Sequence, residues 1–201
     1  NPQVQWLSGV GEVWRDGLVI NRLVPTPARS SADYLRPWAR RDRFVFPFSG
    51  ACFLRRTVYE RLGGFDETFH YSMDMEYYTR LALRGGLAQT LCPQILGRWR
   101  WHAASKTHTV GSSYGFLGDE LRIAERYLRD LPPAEQSIVR AELPGLRRWL
   151  AVRRATHPHV DDTPPRRLQR LLTEARRQPS LLGFRPWLGA LRRIFGAPTH
   201  A

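Results

Sequence analysis

The chain has 201 residues, 42% of them hydrophobic and 11% aromatic. That excludes a disordered polar segment and allows one modest domain, or a half-domain with an extension. The formal net charge is +13, and Lys106 is the single lysine among 31 basic residues. Arginine offers phosphate a fixed fork of donors, so anionic partners are one reading of this charge, and a solvated arginine-rich surface is the other. No apolar run approaches the ~20 residues that a membrane span requires. Cys52 and Cys92 stand in neither a CxxC nor a Cys/His spacing, which argues against a zinc site or a disulfide framework. Both read as small buried hydrophobes in a reducing compartment.

In chain order, Val4 to Leu7 is the first strand candidate, ending at Ser8-Gly9. Asp16-Gly17 between apolar residues predicts a hairpin turn. Residues 25–43 carry three prolines and several arginines and read as a surface loop. Phe44 to Leu54 reads as a strand interrupted by Pro47 and Ser49-Gly50. A short helix is expected over Thr57–Leu62, with Thr57 and Glu60 as a capping box and Gly63-Gly64 as its stop. A second helix is expected from Asp74 to Leu83, ended by Gly85-Gly86. Leu87–Leu91 and Ile95–Trp101 are the last strand candidates. From about residue 115 the chain reads as helices broken by prolines, near 116–130, 134–155, 165–178 and 184–195. Residues 165–201 hold eight arginines and one acid. There Trp187, Leu188, Leu191, Ile194 and Phe195 form one apolar stripe, with Arg192 and Arg193 outside it. Such a helix either packs on the domain or lies on an anionic membrane surface.

Four segments, in order, carry a resemblance: Phe48-Ser-Gly-Ala-Cys-Phe-Leu-Arg-Arg56, Leu62-Gly-Gly-Phe-Asp-Glu67, Tyr71-Ser-Met-Asp-Met-Glu-Tyr-Tyr-Thr-Arg-Leu81 and Trp99-Arg-Trp-His-Ala-Ala-Ser-Lys-Thr107. Together they resemble the acceptor-side part of the inverting family-2 glycosyltransferases over residues 44–107. The resemblance implies an α/β fold, a partial GT-A (Rossmann-like, mixed-sheet) half over residues 1–112. An α-helical, basic C-terminal extension would follow over 113–201. It implies transfer of a sugar from a nucleotide-sugar donor to a glycan or lipid-linked acceptor, as in polysaccharide and cell-envelope synthesis. A divalent metal (Mn²⁺ or Mg²⁺) would be held mainly by an acidic cluster outside this chain; Asp161-Asp162, an adjacent acid pair of the tail, is not in the place of that cluster. The chain opens at Asn1 and is expected to be part of a longer protein, inactive without its donor half. The expected location is cytoplasmic, with peripheral contact at the inner face of the plasma membrane.

Inversion needs a base for the acceptor hydroxyl and positive charge on the leaving diphosphate. By the resemblance, Asp74 is the base. From residue type and position alone it reads as a helix cap, and the helix dipole there favours its ionised form. Phe65, Tyr71 and Met73 are the neighbours whose partial burial of Asp74 would oppose that. Glu76 reads as a structural or acceptor-binding residue, paired with Arg80 at i+4. Asp66 and Glu67 hold a turn or touch acceptor hydroxyls. Ser49 and Gly50 mark either a bulge or a close approach of backbone to ligand. Trp101, with Trp99, Tyr77 and Tyr78, is either core or a stacking surface for a sugar. His102 is a candidate metal ligand, and Ser105 and Lys106 are candidates for holding the diphosphate. Two readings from other classes stay open: a basic nucleic-acid-binding protein, which lacks any RNP-like, zinc-finger or helix-turn-helix pattern, and a non-catalytic interaction domain.

Overall fold

The computed structural model describes residues 3–36, 45–102, 105, 112–157, 163–181, 191 and 194. It is a mixed α/β structure built on one long strand. Strand β1 (Trp6–Arg15) runs straight through Ser8-Gly9, where the sequence suggested a break. Asp16 and Gly17 then turn the chain with φ of 52° and 82°, both left-handed, as a two-residue hairpin of this hand demands. Strand β2 (Leu18–Leu23) returns antiparallel along Gly11–Arg15. Strand β3 (Cys52–Leu54) pairs antiparallel with Trp6–Ser8, so β2 and β3 share one edge of β1 end to end. Strand β4 (Thr90–Arg100) runs parallel along the other edge, from Leu7 to Trp14. The sheet is therefore mixed. The two strand candidates at 87–91 and 95–101 are one element, which absorbs Pro93 by register shifts opposite Val10.

Three expectations are corrected here. The strand expected over 44–54 shrinks to β3, because Ser49–Ala51 forms a 3₁₀ turn and Pro47 has no N–H to give a ladder. Helix α1 spans Arg56–Leu62 with Arg55 at its N-cap. Thr57 thus lies inside the helix and makes no capping box, and Glu60 pairs instead with Arg56 at 2.8 Å. The loop expected over 25–43 is not all surface. Ser31–Leu35 forms a 3₁₀ turn whose Ala32, Asp33, Tyr34 and Leu35 are buried. The apolar Ala32, Tyr34 and Leu35 outweigh the surrounding prolines and arginines.

Helix α2 (Met73–Leu83) lies against the sheet, with Glu76, Tyr77, Tyr78, Thr79 and Leu81 buried. Trp6 stacks on Tyr78 at 5.7 Å between centroids, and Val45, Phe46 and Val58 complete that core. Helices α3 (Ser112–Tyr127), α4 (Pro133–Thr156) and α5 (Pro164–Arg177) follow in the tail. Pro133 and Pro164 sit in the first turns of α4 and α5, where no N–H is missed. Pro144 lies within α4 without ending it. A second core joins Ala32, Leu35 and Phe69 to Ile123, Tyr127 and Val139, so packing is continuous across residue 113. Leu191 and Ile194, the described members of the terminal apolar stripe, pack with Val152, Ala155 and Leu171. The stripe's other members, Trp187, Leu188 and Phe195, lie outside the described residues, as does most of the helix expected over 184–195. No helix among the described residues is long and apolar enough to cross a membrane.

Candidate functional site

Asp74 occupies the second position of α2, after Ser72 at the N-cap and Met73. Its Oδ1 accepts from the Met75 N–H at 2.9 Å, which fixes the carboxylate against the first turn. The side chain is half-buried, and Met73 and Phe65, two of the neighbours expected to bury it, are exposed. Its charge reaches the sheet. Burial pushes the Cys52 thiol and the Tyr78 phenol up, and Asp74 adds to both shifts. Ser8 and Trp6 of β1 close this corner. Among the described residues the Ser72 Oγ and Tyr77 hydroxyl are buried with no hydrogen-bond partner, and the Ser8 and Trp6 side chains turn to the Cys52 thiol, whose rise they oppose.

The start of α2 is held from outside the helix. Ser72 gives no side-chain cap. Instead Asp119 of α3 accepts the Tyr71 N–H at 2.8 Å and the Ser72 N–H at 3.1 Å, while Arg122 balances its other oxygen at 3.2 Å. A buried carboxylate thus stands at the positive end of α2, about where the helix dipole rewards one.

The Gly-Gly-Phe-Asp loop is clamped to the same helix. Arg80 donates to the Leu62 and Gly64 carbonyls, each at 2.6 Å, and to Glu76 at 3.1 Å. Glu76 is 1% exposed and also accepts from the Tyr127 hydroxyl of α3. Burial, then this bond, push Tyr127 up to about 12. The i+4 pair of Glu76 and Arg80 is present, and Glu76 is buried. Asp66 accepts from the Thr68 N–H at 2.9 Å, the Thr68 hydroxyl at 2.6 Å and Arg126 of α3 at 2.5 Å. Arg126 and then Thr68 hold its carboxyl far below the usual carboxylate range. Glu67 is exposed.

Ser49 and Gly50 are exposed in their 3₁₀ turn. The close backbone approach at Gly50 is to β4. A Cβ on Gly97 would stand 2.1 Å from the Gly50 carbonyl oxygen, so only glycine fits there. Trp101 extends the sheet, donating its N–H to the Trp14 carbonyl at 2.7 Å, and Arg15 covers one face of its ring at 4.1 Å. His102 is exposed, and the Ser105 N–H closes a turn onto its carbonyl at 3.0 Å. Lys106 lies outside the described residues.

Register along β1 separates these candidates. Cys52 sits opposite Ser8, and Trp101 bonds to Trp14. The six residue steps from Ser8 to Trp14 amount to roughly 20 Å of strand. The structure therefore brings Asp74, Cys52, Ser8 and Trp6 together, places Ser49 and Gly50 midway, and puts Trp101 and His102 at the far end of β1. Among the described residues no three His, Cys, Asp or Glu side chains come together to hold a metal. His102 alone does not make a cation site. Asp119, Tyr127 and Arg126, which support the site from α3, carry no sequence signal of that role. Each is one charged or aromatic residue in an ordinary amphipathic pattern.

Comparison with known proteins gives no match: no family model, curated protein or solved structure is significantly similar to the chain.

Proposed function

We propose that this chain is the acceptor-side part of an inverting family-2 glycosyltransferase with a GT-A architecture, and that Asp74 is its general base. The observation that carries the reading is the shared frame of the motif segments. The Gly63-Gly64 loop is clamped to α2 by Arg80, and Asp74 stands in the first turn of that helix, in electrostatic reach of β3. Segments 48–56, 62–67 and 71–81 are thereby tied to the helix that carries this half-buried carboxylate, while the fourth lies at the far end of β1.

In this reading the acceptor hydroxyl lies on Asp74. As its oxygen forms a bond to the anomeric carbon, the proton passes to the Asp74 carboxylate. The bond from that carbon to the nucleoside diphosphate breaks on the opposite face, and the diphosphate leaves with the electron pair. The Met75 N–H orients the carboxylate, and Asp119 fixes the turn that presents it. Glu76 and Asp66 shape the loop rather than touch sugar. A nucleotide-sugar half and its divalent cation belong to the complete enzyme in this proposal, and no step here runs through the cation.

The test is release of nucleoside diphosphate by the full-length enzyme from a panel of nucleotide sugars, with and without glycan acceptors. Asp74→Asn is expected to lower turnover by about 10²- to 10⁴-fold with donor binding intact. Unchanged turnover in that variant would sink the assignment.

A further inference from the structure

We infer that the cleft between α3, α4 and α5 is a binding site for a phosphoryl-bearing anion with an apolar portion. Its volume is about 750 Å³, within the range of small-molecule sites. Arg147 and Arg154 reach it from α4, and Arg166, Arg170 and Arg177 from α5, against one lining carboxylate, Glu174. The floor is apolar, from Leu121, Leu150, Ala151 and Ala155.

The spacing is what turns a basic surface into a site. Arg147 and Arg154 are seven residues apart, and Arg166, Arg170 and Arg177 fall four and seven apart, so each set lines one helix face. Two rows of guanidinium groups then face one another across an apolar floor. Like charges this close repel, and most of these arginines are restrained by neighbours. Arg147 pairs with Glu125 at 2.6 Å and Arg177 with Glu174 at 3.2 Å. Arg170 donates to the carbonyls of Ala155 at 3.3 Å and His157 at 3.1 Å, at the end of α4. Arg154 is different. It has no hydrogen-bond or ion-pair partner among the described residues, yet its Nη2 folds over α3, 3.5 Å from where a Cβ of Gly118 would stand. An exposed, unpaired guanidinium at a cleft that other arginines already line suits the bidentate geometry of phosphate oxygens. The apolar floor gives the rest of the ligand somewhere to lie. A free phosphate ester and a lipid phosphate headgroup share this chemistry.

The experiment titrates the full chain with inorganic pyrophosphate by calorimetry, and separately floats it with phosphatidylcholine vesicles with and without phosphatidic acid. Saturable pyrophosphate binding assigns the site to free phosphate esters. Flotation that requires phosphatidic acid, without pyrophosphate binding, assigns it to a headgroup. Arg154→Gln is expected to weaken whichever binding is seen by about tenfold or more, the worth of one charge-assisted contact. Arg166→Gln is a second variant with the same expectation. Arg129→Gln removes an exposed charge outside the cleft and should leave binding unchanged. Circular dichroism confirms that each variant stays folded. Binding to neither probe, or equal losses in the Arg154 and Arg129 variants, would overturn the inference. The proposal does not depend on the transfer reading.

Discussion

In the α/β half, carboxylates are the buried charges and donors gather round them. Glu12 sits at the centre of β1, 3% exposed, and accepts from Trp14, Arg22 and Arg98 across three strands. Glu76 does the same in α2 for Arg80 and Tyr127. In the tail the balance reverses, and arginines crowd a cleft that offers them one glutamate. The first region spends its acids on holding loops and strands in one shape. The second keeps cationic capacity in hand, as a surface for anions would. Helix α3 belongs to the tail by sequence and to the α/β half by its contacts, since Asp119, Tyr127 and Arg126 all bind motif residues.

If α3 is truly the rear wall of the site, breaking its strongest contact should cost most. Asp119→Ala leaves the buried Ser72 N–H and its neighbour at Tyr71 without their acceptor. The expected loss is about 2–4 kcal/mol, read from urea unfolding. Wild-type stability in this variant would break the comparison, because α3 would then be ordinary tail. Glu120, the next residue, sharpens it through pH. Burial raises its carboxyl from 4.5 to about 7, with Asp119 adding to the shift. The folded state therefore keeps a proton that the unfolded state has lost, and stability falls as pH rises from 4.5 to 7. The stabilisation is complete below 4.5 and gone above 7. The total is on the order of 3 kcal/mol, and Glu120→Gln should flatten the slope.

How much of this was legible in the sequence follows the range of the interactions. The Asp16-Gly17 turn, the helix from Met73 and the Glu76–Arg80 pair are set by residues within four of each other, and their patterns are readable. The three tail helices were readable too, from their apolar periodicity. The break at Ser8-Gly9, the strand over 44–54 and the capping box at Thr57 were misread. In the first two a partner distant in sequence contributes: β4 pairs along β1 on both sides of Ser8-Gly9, and Gly97 of β4 packs against the 49–51 turn; at Thr57 the pair of Arg56 and Glu60 takes the glutamate instead. The order of motifs singles out Asp74 as a candidate. Asp119, its support 45 residues away, is not singled out, because no local pattern marks a carboxylate as the cap of another helix.

The Tyr127 contact tests the same wall with a smaller change. Tyr127→Phe keeps the ring in its core beside Ile123 and Val139 and removes only the hydroxyl that donates to Glu76. A buried bond to a charged acceptor is worth about 1.5–3 kcal/mol. Arg80 remains on Glu76 in the variant, so the lower end is expected. Because Arg80 also holds the Gly64 carbonyl, hydrogen exchange at residues 63–66 should quicken along with the loss of stability. Exchange confined to α3 would instead mean that the hydroxyl steadies the tail alone.

The smallest effect is expected at Asp66 and Arg126, whose side chains are 27% and 39% exposed. Water screens this pair, so Asp66→Asn should cost no more than about 1 kcal/mol at neutral pH. The sign with pH is fixed. Arg126 and Thr68 hold the folded carboxyl below its ordinary value of 3.8. The contribution is therefore present above 3.8 and lost only as pH falls beneath it. Unfolding curves for wild type and Asp66→Asn should run parallel from pH 7 down to 4 and converge below. The slope has the opposite sense to that of Glu120: Asp66 gains from being charged, through Arg126 and Thr68, and Glu120 from being neutral, through burial. A double variant, Asp66→Asn with Glu120→Gln, should show neither slope. A residual fall in stability between pH 4.5 and 7 would place the decisive titrating group elsewhere.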